Sequence, residues 1–151
     1  MYKILFVCHG NICRSPMAEF VMKDIVNKAG KSDEFYIASC ATSTEEIGNP
    51  VHYGTKRKLA EVGISCDGKR AVQLTKSDYN KYDYIIAMDE MNIQNIMRII
   101  KSDPDGKVSL LLSHAGMSGS IADPWYTGNF DDTYRDVLLG CKALFNEIVS
   151  K

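Results

Sequence analysis

Apolar and polar positions follow two rhythms along this chain. Short runs dense in apolar residues, from Lys3 to Cys8, Phe35 to Ser39, Tyr84 to Met88 and Val108 to Leu112, read as strands. Between most of them the apolar positions fall three and four apart, as on one face of a helix. The first such pattern has Ser15 as its cap and Pro16 at its first position, then Met17, Val21 and Ile25, and it stops at Gly30. A second follows Asn49-Pro50, carries Leu59, Ala60 and Val62, and stops before Gly63; Gly54 weakens its first turn. A third starts from Asp89 as cap, places Ile93, Ile96, Met97 and Ile100 on one face, and is closed by Pro104. The last runs from about Asp131 to Val149 with a stripe of Tyr134, Val137, Leu138, Cys141, Leu144, Phe145 and Ile148, a face for the core.

Strands alternating with helices predict an α/β fold of three layers, a parallel sheet covered on both faces. Right-handed crossovers place the first strand beside both its successors, which predicts four strands in order 2-1-3-4 with the loop after strand 1 at the topological switch. No repeat, low-complexity tract or linker interrupts the pattern, so residues 1–151 are expected to form one domain.

Composition narrows the partners. A net charge of −1 gives no general attraction to nucleic acid or to an anionic membrane, so any positive potential has to be local, in a pocket. No apolar run approaches membrane-spanning length, and Met1-Tyr2-Lys3 leads into a strand without a signal-like flank; a cytoplasmic monomer is expected, with no nucleic-acid or membrane partner. Five cysteines are scattered with no C-x2-C pair, which argues for reduced thiols and against a zinc site or disulfide framework; no metal or other cofactor is expected.

Chemistry concentrates in Cys8-His9-Gly10-Asn11-Ile12-Cys13-Arg14-Ser15-Pro16, where a cysteine and an arginine bracket five residues ahead of a helix start. At that spacing a thiolate and a guanidinium can face one phosphate, and the free N–H groups of the helix start favour an anion. Gly10 is expected to let the backbone bend with its amides inward as an anion nest. A helix terminus and an arginine are the surroundings that draw a cysteine towards its nucleophilic thiolate. Expelling an alkoxide or phenoxide also needs a proton donor. Asp123, in Ile121-Ala122-Asp123-Pro124-Trp125-Tyr126-Thr127-Gly128 after the fourth strand, is the candidate, because loops after parallel strands converge at one end of the sheet. Pro124 stiffens the turn, and Trp125 and Tyr126 either cap the core or wall a slot for a phenyl ring.

The Cys8 to Pro16 segment together with Asp123-Pro124-Trp125-Tyr126 resembles the low-molecular-weight protein tyrosine phosphatase family, and the likeness extends over essentially the whole chain, including Ser43 to Pro50 and Ala87 to Glu90. The resemblance implies phosphotyrosine-containing proteins and small aryl phosphates as substrates and no cofactor. It implies that Cys8 forms a cysteinyl-phosphate, that Arg14 holds the transferring oxygens, and that Asp123 protonates the leaving group and later activates water. By the same resemblance Ser15 hydrogen-bonds the Cys8 thiolate, Asn11 holds the loop bent, and His9, Gly10, Ile12 and Cys13 complete the phosphate-binding loop. Glu45, Trp125 and Tyr126 would form the pocket wall. Cys13 is either packed inward or a reversible disulfide partner that shields Cys8.

Blander readings remain for other residues. Cys40, Cys66 and Cys141 are expected to be buried small hydrophobes. His9 reads as a solvated loop residue, His52 and His114 lack ligand spacing, and Lys56-Arg57-Lys58 reads as a solvated helix face. In Lys69-Arg70-Ala71-Val72-Gln73-Leu74 the family commonly has histidine at the first position, braced against the loop asparagine, and arginine at the fourth; Lys69 and Val72 leave the support of Asn11 and the pH profile open. Glu45 and Glu46 stand where vertebrate relatives often present a tryptophan, so their substrate preference is not carried over. Three rival functions use a similar loop. A protein-arginine phosphatase carries threonine where this chain has Ile12. An arsenate reductase needs a closely spaced extra cysteine pair, and a phosphocarrier has no need of Asp123.

Overall fold

A computed structural model describes all residues from Met1 to Lys151. The elements run β1 (Tyr2–Cys8), α1 (Arg14–Lys28), a 3-10 turn (Ser32–Glu34), β2 (Phe35–Ala41), α2 (Tyr53–Glu61), α3 (Asp78–Lys81), β3 (Tyr84–Ala87), α4 (Glu90–Ile100), β4 (Val108–Leu110), a 3-10 turn (Leu111–Ala115), α5 (Pro124–Thr127) and α6 (Phe130–Val149). All strand pairings are parallel, in the predicted order β2-β1-β3-β4. No helix is long and apolar enough to cross a membrane.

β1 is an unbroken apolar run because both faces of the sheet are covered. Ile4 and Phe6 pack with Met17 and Val21 of α1 and Val137, Leu144 and Ile148 of α6. Leu5 and Val7, on the opposite face, pack with Ile85, Ala87, Ile96 and Ile100. The period of two carries Cys8 onto the face of Ile4 and Phe6, at the carboxyl end of β1 beside the start of α1.

Helix boundaries depart from the sequence pattern for local chemical reasons. α1 starts at Arg14, and its cap position, Cys13, offers no side-chain hydrogen bond. Ser15, expected as the cap, lies inside the helix and turns its hydroxyl to the sulfur of Cys8, 3.0 Å away. α2 is capped by His52, whose Nδ1 accepts from the Gly54 N–H at 3.0 Å. Asp89 caps α4 as predicted, in a reciprocal box with Asn92. α3 and α5 are single turns, too short for periodicity to reveal. β4 gives way after Leu110 to the 3-10 turn that buries Leu111 and Leu112.

Gly54, the residue that weakened the α2 pattern, is required by tertiary packing. The Phe130 ring at the start of α6 lies against it so closely that a Cβ would overlap the ring. Phe130 stacks on His52 (5.5 Å, 17°), and His52 meets Trp125 edge-on (5.5 Å, 75°). The cluster joins α2, α6 and the turn after Asp123. Gly54→Ala gains about 1 kcal/mol of helix propensity but incurs an overpacking cost of about 1–3 kcal/mol. The expected outcome is a lower urea midpoint with unchanged slope, and an altered emission of Trp125, the single tryptophan of the chain. An unchanged midpoint and spectrum would show that Phe130 moves aside freely.

Candidate active site

The segments after the carboxyl ends of β1, β2 and β4 enclose a pocket of about 120 Å³. Its floor is formed by Cys8, Gly10, Ile12, Cys13 and Arg14, and its walls by Asp123, Trp125 and Tyr126 on one side and His9, Glu45 and Glu46 on the other. Residues from three loops therefore meet at the predicted switch point. Asn11 and Ser15 lie beneath the loop, buried, and support it without lining the pocket.

The bend of the loop is carried by Asn11 (φ 59°), whereas Gly10, expected to supply that freedom, has no left-handed backbone. Asn11 holds the strained conformation with every polar atom of its side chain. Its Nδ2 donates to Ser15 Oγ (2.8 Å) and Ser39 Oγ (2.9 Å), and its Oδ1 accepts from the Val72 N–H (3.2 Å). Its own N–H donates to Cys8 Sγ at 3.3 Å. The loop carbonyls are occupied from outside: Cys8, His9, Ile12 and Cys13 accept from the N–H groups of Thr42, Ser43, His52 and Met17. The N–H groups of Gly10, Ile12 and Cys13 make no hydrogen bond within the protein and line the pocket with donors.

The departures at Lys69 and Val72 do not leave Asn11 unsupported. Val72 braces it through the backbone N–H, for which its side chain is irrelevant. Lys69 Nζ donates to the Ser39 carbonyl at 2.8 Å, steadying the strand that carries the Ser39 hydroxyl.

Arg14 is 3 % exposed. Its Nη1 donates to Asp89 Oδ2 (2.7 Å) and to the Ile121 carbonyl (2.9 Å), and its Nη2 lies 3.5 Å from Asp123 Oδ2. Burial works to lower the guanidinium pKa, but Cys8, the Asp89 hydrogen bond and Asp123 outweigh it and hold the group above its ordinary value. Asp89 is the residue that motif reading missed. Its Oδ1 caps Asn92 at 2.7 Å while Oδ2 holds Arg14, so the cap signal concealed a second role. A buried arginine needs a carboxylate, and that requirement was the available clue.

Asp123 Oδ1 caps α5 by accepting from the Trp125 N–H (3.0 Å), which leaves Oδ2 towards Arg14 and the pocket. Trp125 and Tyr126 are exposed and wall the pocket, so neither caps the core. His9 is not merely solvated: its Nε2 lies 3.1 Å from Glu45 Oε2 at the rim. Cys13 is buried yet reaches the pocket, and burial, with Asp123 and Cys8 adding to it, pushes its thiol up to about 12. Cys40, Cys66 and Cys141 are buried as expected, each with its thiol pushed up chiefly by burial. No cluster of three metal-ligating side chains occurs. The pocket brings together a sulfur nucleophile, a fixed cation with amide donors, and a carboxyl group. These can hold a tetrahedral oxyanion, attack its centre and move a proton on the far side.

A family model described as low molecular weight phosphotyrosine protein phosphatase matches residues 3–151. The Bacillus subtilis low molecular weight protein-tyrosine-phosphatase YfkJ is 39 % identical over 150 residues, covering 98 % of this chain and 96 % of its own; its crystal structure superposes with a TM-score of 0.94, covering 99 % and 96 % of the two chains. The structure of SP-PTP, a low molecular weight protein tyrosine phosphatase from Streptococcus pyogenes, is 45 % identical with a TM-score of 0.90, covering 100 % and 95 %. A drosophila arginine phosphatase, DARP, is 28 % identical with a TM-score of 0.88, covering 97 % of each chain.

Asp89→Ala should lower stability by about 2 kcal/mol, since it leaves a buried guanidinium short of its closest partner. Asp89→Asn, whose side-chain oxygen can still cap Asn92, should lose less. A double-mutant cycle with Arg14→Met, followed by urea denaturation, is expected to give a coupling of about 1–3 kcal/mol; a coupling near zero would remove the pair from the account.

Proposed function

The chain belongs to the low molecular weight phosphotyrosine protein phosphatase family, and on that premise we propose that its pocket hydrolyses phosphotyrosine in proteins, and small aryl phosphates, through a cysteinyl-phosphate. The observation that carries this reading is the approach of Asp123 to within 3.5 Å of the Arg14 guanidinium, 109 residues away in sequence, in the pocket floored by Cys8. A phosphate seated against Arg14 and the loop N–H groups has sulfur on one side and a carboxyl group beside its leaving oxygen.

In the first step the Cys8 thiolate attacks phosphorus. The S–P bond forms as the P–O bond to the aryl ring breaks, and Asp123 passes its proton to the departing phenolate oxygen. In the second step Asp123, now a carboxylate, takes a proton from water as that water attacks phosphorus and the S–P bond breaks. Ser15, 3.0 Å from Cys8 Sγ, donates to the sulfur as it regains its negative charge. Arg14 presents planar paired donors to the equatorial oxygens, where charge collects in the transition state. Neither step calls for a metal or organic cofactor. The same reading takes residues 1–151 as one phosphatase domain, acting as a monomer in the cytoplasm.

Substrate class turns on Ile12, Trp125 and Tyr126. An apolar residue in the floor and two exposed rings in the wall suit a phenyl ring better than a phosphorylated guanidinium, which needs polar partners for its N–H groups. The arginine-phosphatase alternative is weaker for that reason. An arsenate reductase would need accessible shuttling thiols, and Cys40 and Cys66 are buried.

Two outcomes are expected. With a chelator present, the protein turns over aryl phosphates and Cys8→Ser abolishes turnover; Asp123→Ala lowers kcat roughly 10²-fold or more for a poor leaving group and much less for a good one. Activity retained in Cys8→Ser, or equal losses for both leaving groups, would overturn the assigned roles. Phosphotyrosine peptides should also have a higher kcat/KM than phosphoarginine peptides, with Ile12→Thr narrowing the ratio; a reversed preference in the unmodified enzyme would transfer the assignment to the arginine reading.

A further inference from the structure

The aromatic wall of the pocket continues beyond the pocket. Trp125 meets His52 edge-on (5.5 Å, 75°), and His52 stacks on Tyr53 (4.5 Å, 27°). One turn along α2, the Arg57 guanidinium lies over the Tyr53 ring, its Cζ 5.5 Å from the ring centre. Tyr53 and Arg57 in turn line a groove of about 590 Å³ between α2 and the start of α6, with Asn129 and Phe130 on its other side. A continuous ledge therefore leads from the mouth of the pocket into this groove.

Neither step of the proposed hydrolysis uses this ledge. Tyr53 is 69 % exposed and Trp125 56 %, and adjoining large rings left in water, with an arginine beside them, have the composition of a surface that a partner covers. A phenyl ring in the pocket reaches Trp125 and Tyr126; Tyr53 lies outside it. Charge singles out the same place. Of the three consecutive cations in α2, Lys58 pairs with Asp131 (2.8 Å) and Glu61 (3.7 Å), and Lys56 with Asp67 (3.7 Å). Arg57, exposed between them, pairs with no carboxylate. Glu61 and Asp131 share its groove, but Lys58 engages both. A guanidinium resting on a ring keeps its in-plane N–H donors available, and their paired geometry matches a carboxylate. Across the mouth, Glu45 and Glu46 have no lysine or arginine partner and repel an acidic segment, which leaves the Tyr53 side as its favourable path.

We propose that Tyr53 and Arg57 form a docking subsite for the substrate polypeptide beyond its phosphotyrosine, with the chain laid along the ledge and an acidic side chain held by Arg57. An extended chain advances about 3.3 Å per residue, so the path from Trp125 through His52 and Tyr53 to Arg57 corresponds to about three or four residues from the phosphotyrosine. The proposal rests on the pocket being a phosphotyrosine site. Both residues select and position the substrate, and neither touches the reacting atoms.

The test uses phosphotyrosine peptides that differ only at the third and fourth residues from the tyrosine, which are glutamate, glutamine or lysine, placed before the tyrosine in one series and after it in the other. In at least one series the glutamate peptide should exceed the glutamine peptide in kcat/KM by roughly threefold or more at low salt, and the advantage should shrink at high salt. Arg57→Ala and Tyr53→Ala should bring that ratio towards one, Arg57→Lys should keep part of it, and Arg57→Glu should reverse it in favour of the lysine peptide. A reversal of sign is a result that mere damage to α2 would not give. Lys142→Glu makes the same change of charge at an exposed position of α6 and should leave the order of the peptides as it was. No advantage for glutamate in either series, a ratio that survives Arg57→Ala, or a reversal by Lys142→Glu equal to that by Arg57→Glu would each overturn the proposal. If the unmodified protein hydrolyses none of the peptides, the hydrolytic reading fails separately. The same peptides are then ranked by Kd on the Cys8→Ser protein, followed by the emission of Trp125 with and without Arg57→Glu; Kd values without order overturn the docking subsite, and an order that Arg57→Glu reverses upholds it.

Discussion

An arginine taken almost wholly out of water has to be met by partners that keep it charged and fix its donors, and the rest of this molecule is arranged around that constraint. Arg14 is 3 % exposed, a position that would be prohibitive for an unpaired guanidinium. Asp89, after β3, supplies the closest counter-charge, and the Ile121 carbonyl and Asp123, after β4, supply the next. The residue itself sits at the end of β1. Three loops at one end of the sheet are therefore tied to one side chain, and the strand order β2-β1-β3-β4 is what brings them within reach. The Asp123 carboxyl group that lines the pocket is also one that steadies the cation, so one side chain ties the pocket wall to the buried guanidinium.

The loop ahead of Arg14 meets a second constraint, that of keeping backbone N–H groups turned inward. Its carbonyls are occupied by neighbours on the outside, and Asn11 adopts a left-handed conformation to turn the corner. That strain persists because the Asn11 side chain is held from three directions, by Ser15, Ser39 and the backbone of Val72. The polar cluster underneath, with Glu19 between two lysines, is fully hydrogen-bonded, and so can rigidify the loop where a half-satisfied cluster would weaken it.

Much of the architecture was legible from local pattern. The central strands β1 and β3 were recognisable because a strand buried on both faces must be almost wholly apolar, the edge strands β2 and β4 as short runs dense in apolar residues, and α1, α4 and α6 because their apolar residues recur at helical spacing. Ser15 misled for an instructive reason. A serine before a proline is a good helix cap on propensity alone, but here its hydroxyl is taken up by the Cys8 sulfur 3.0 Å away, and the helix starts one residue earlier without a cap. Gly54 and Gly10 exchanged expectations: the glycine that seemed a flaw makes room for Phe130, and the glycine that seemed to shape the loop leaves that task to Asn11. The one-turn helices α3 and α5 carried no periodic signal. Asp89 was recognised as a cap and no more, because nothing in its neighbours along the chain points to Arg14.

By itself the sequence determined the order and kind of the main elements, the spacing of Cys8 and Arg14, and the presence of an acidic residue in a loop destined for the same end of the sheet. Those features depend on residues a few positions apart, where covalent geometry and helical or strand period decide what meets what. Tertiary structure alone decided which carboxylates hold Arg14, which face of the loop donates, and how the support of Asn11 is rebuilt around Lys69 and the backbone of Val72. These depend on groups up to 109 residues apart. Their hydrogen bonds are set by burial and by which partner each proton can reach, neither of which is written in spacing along the chain.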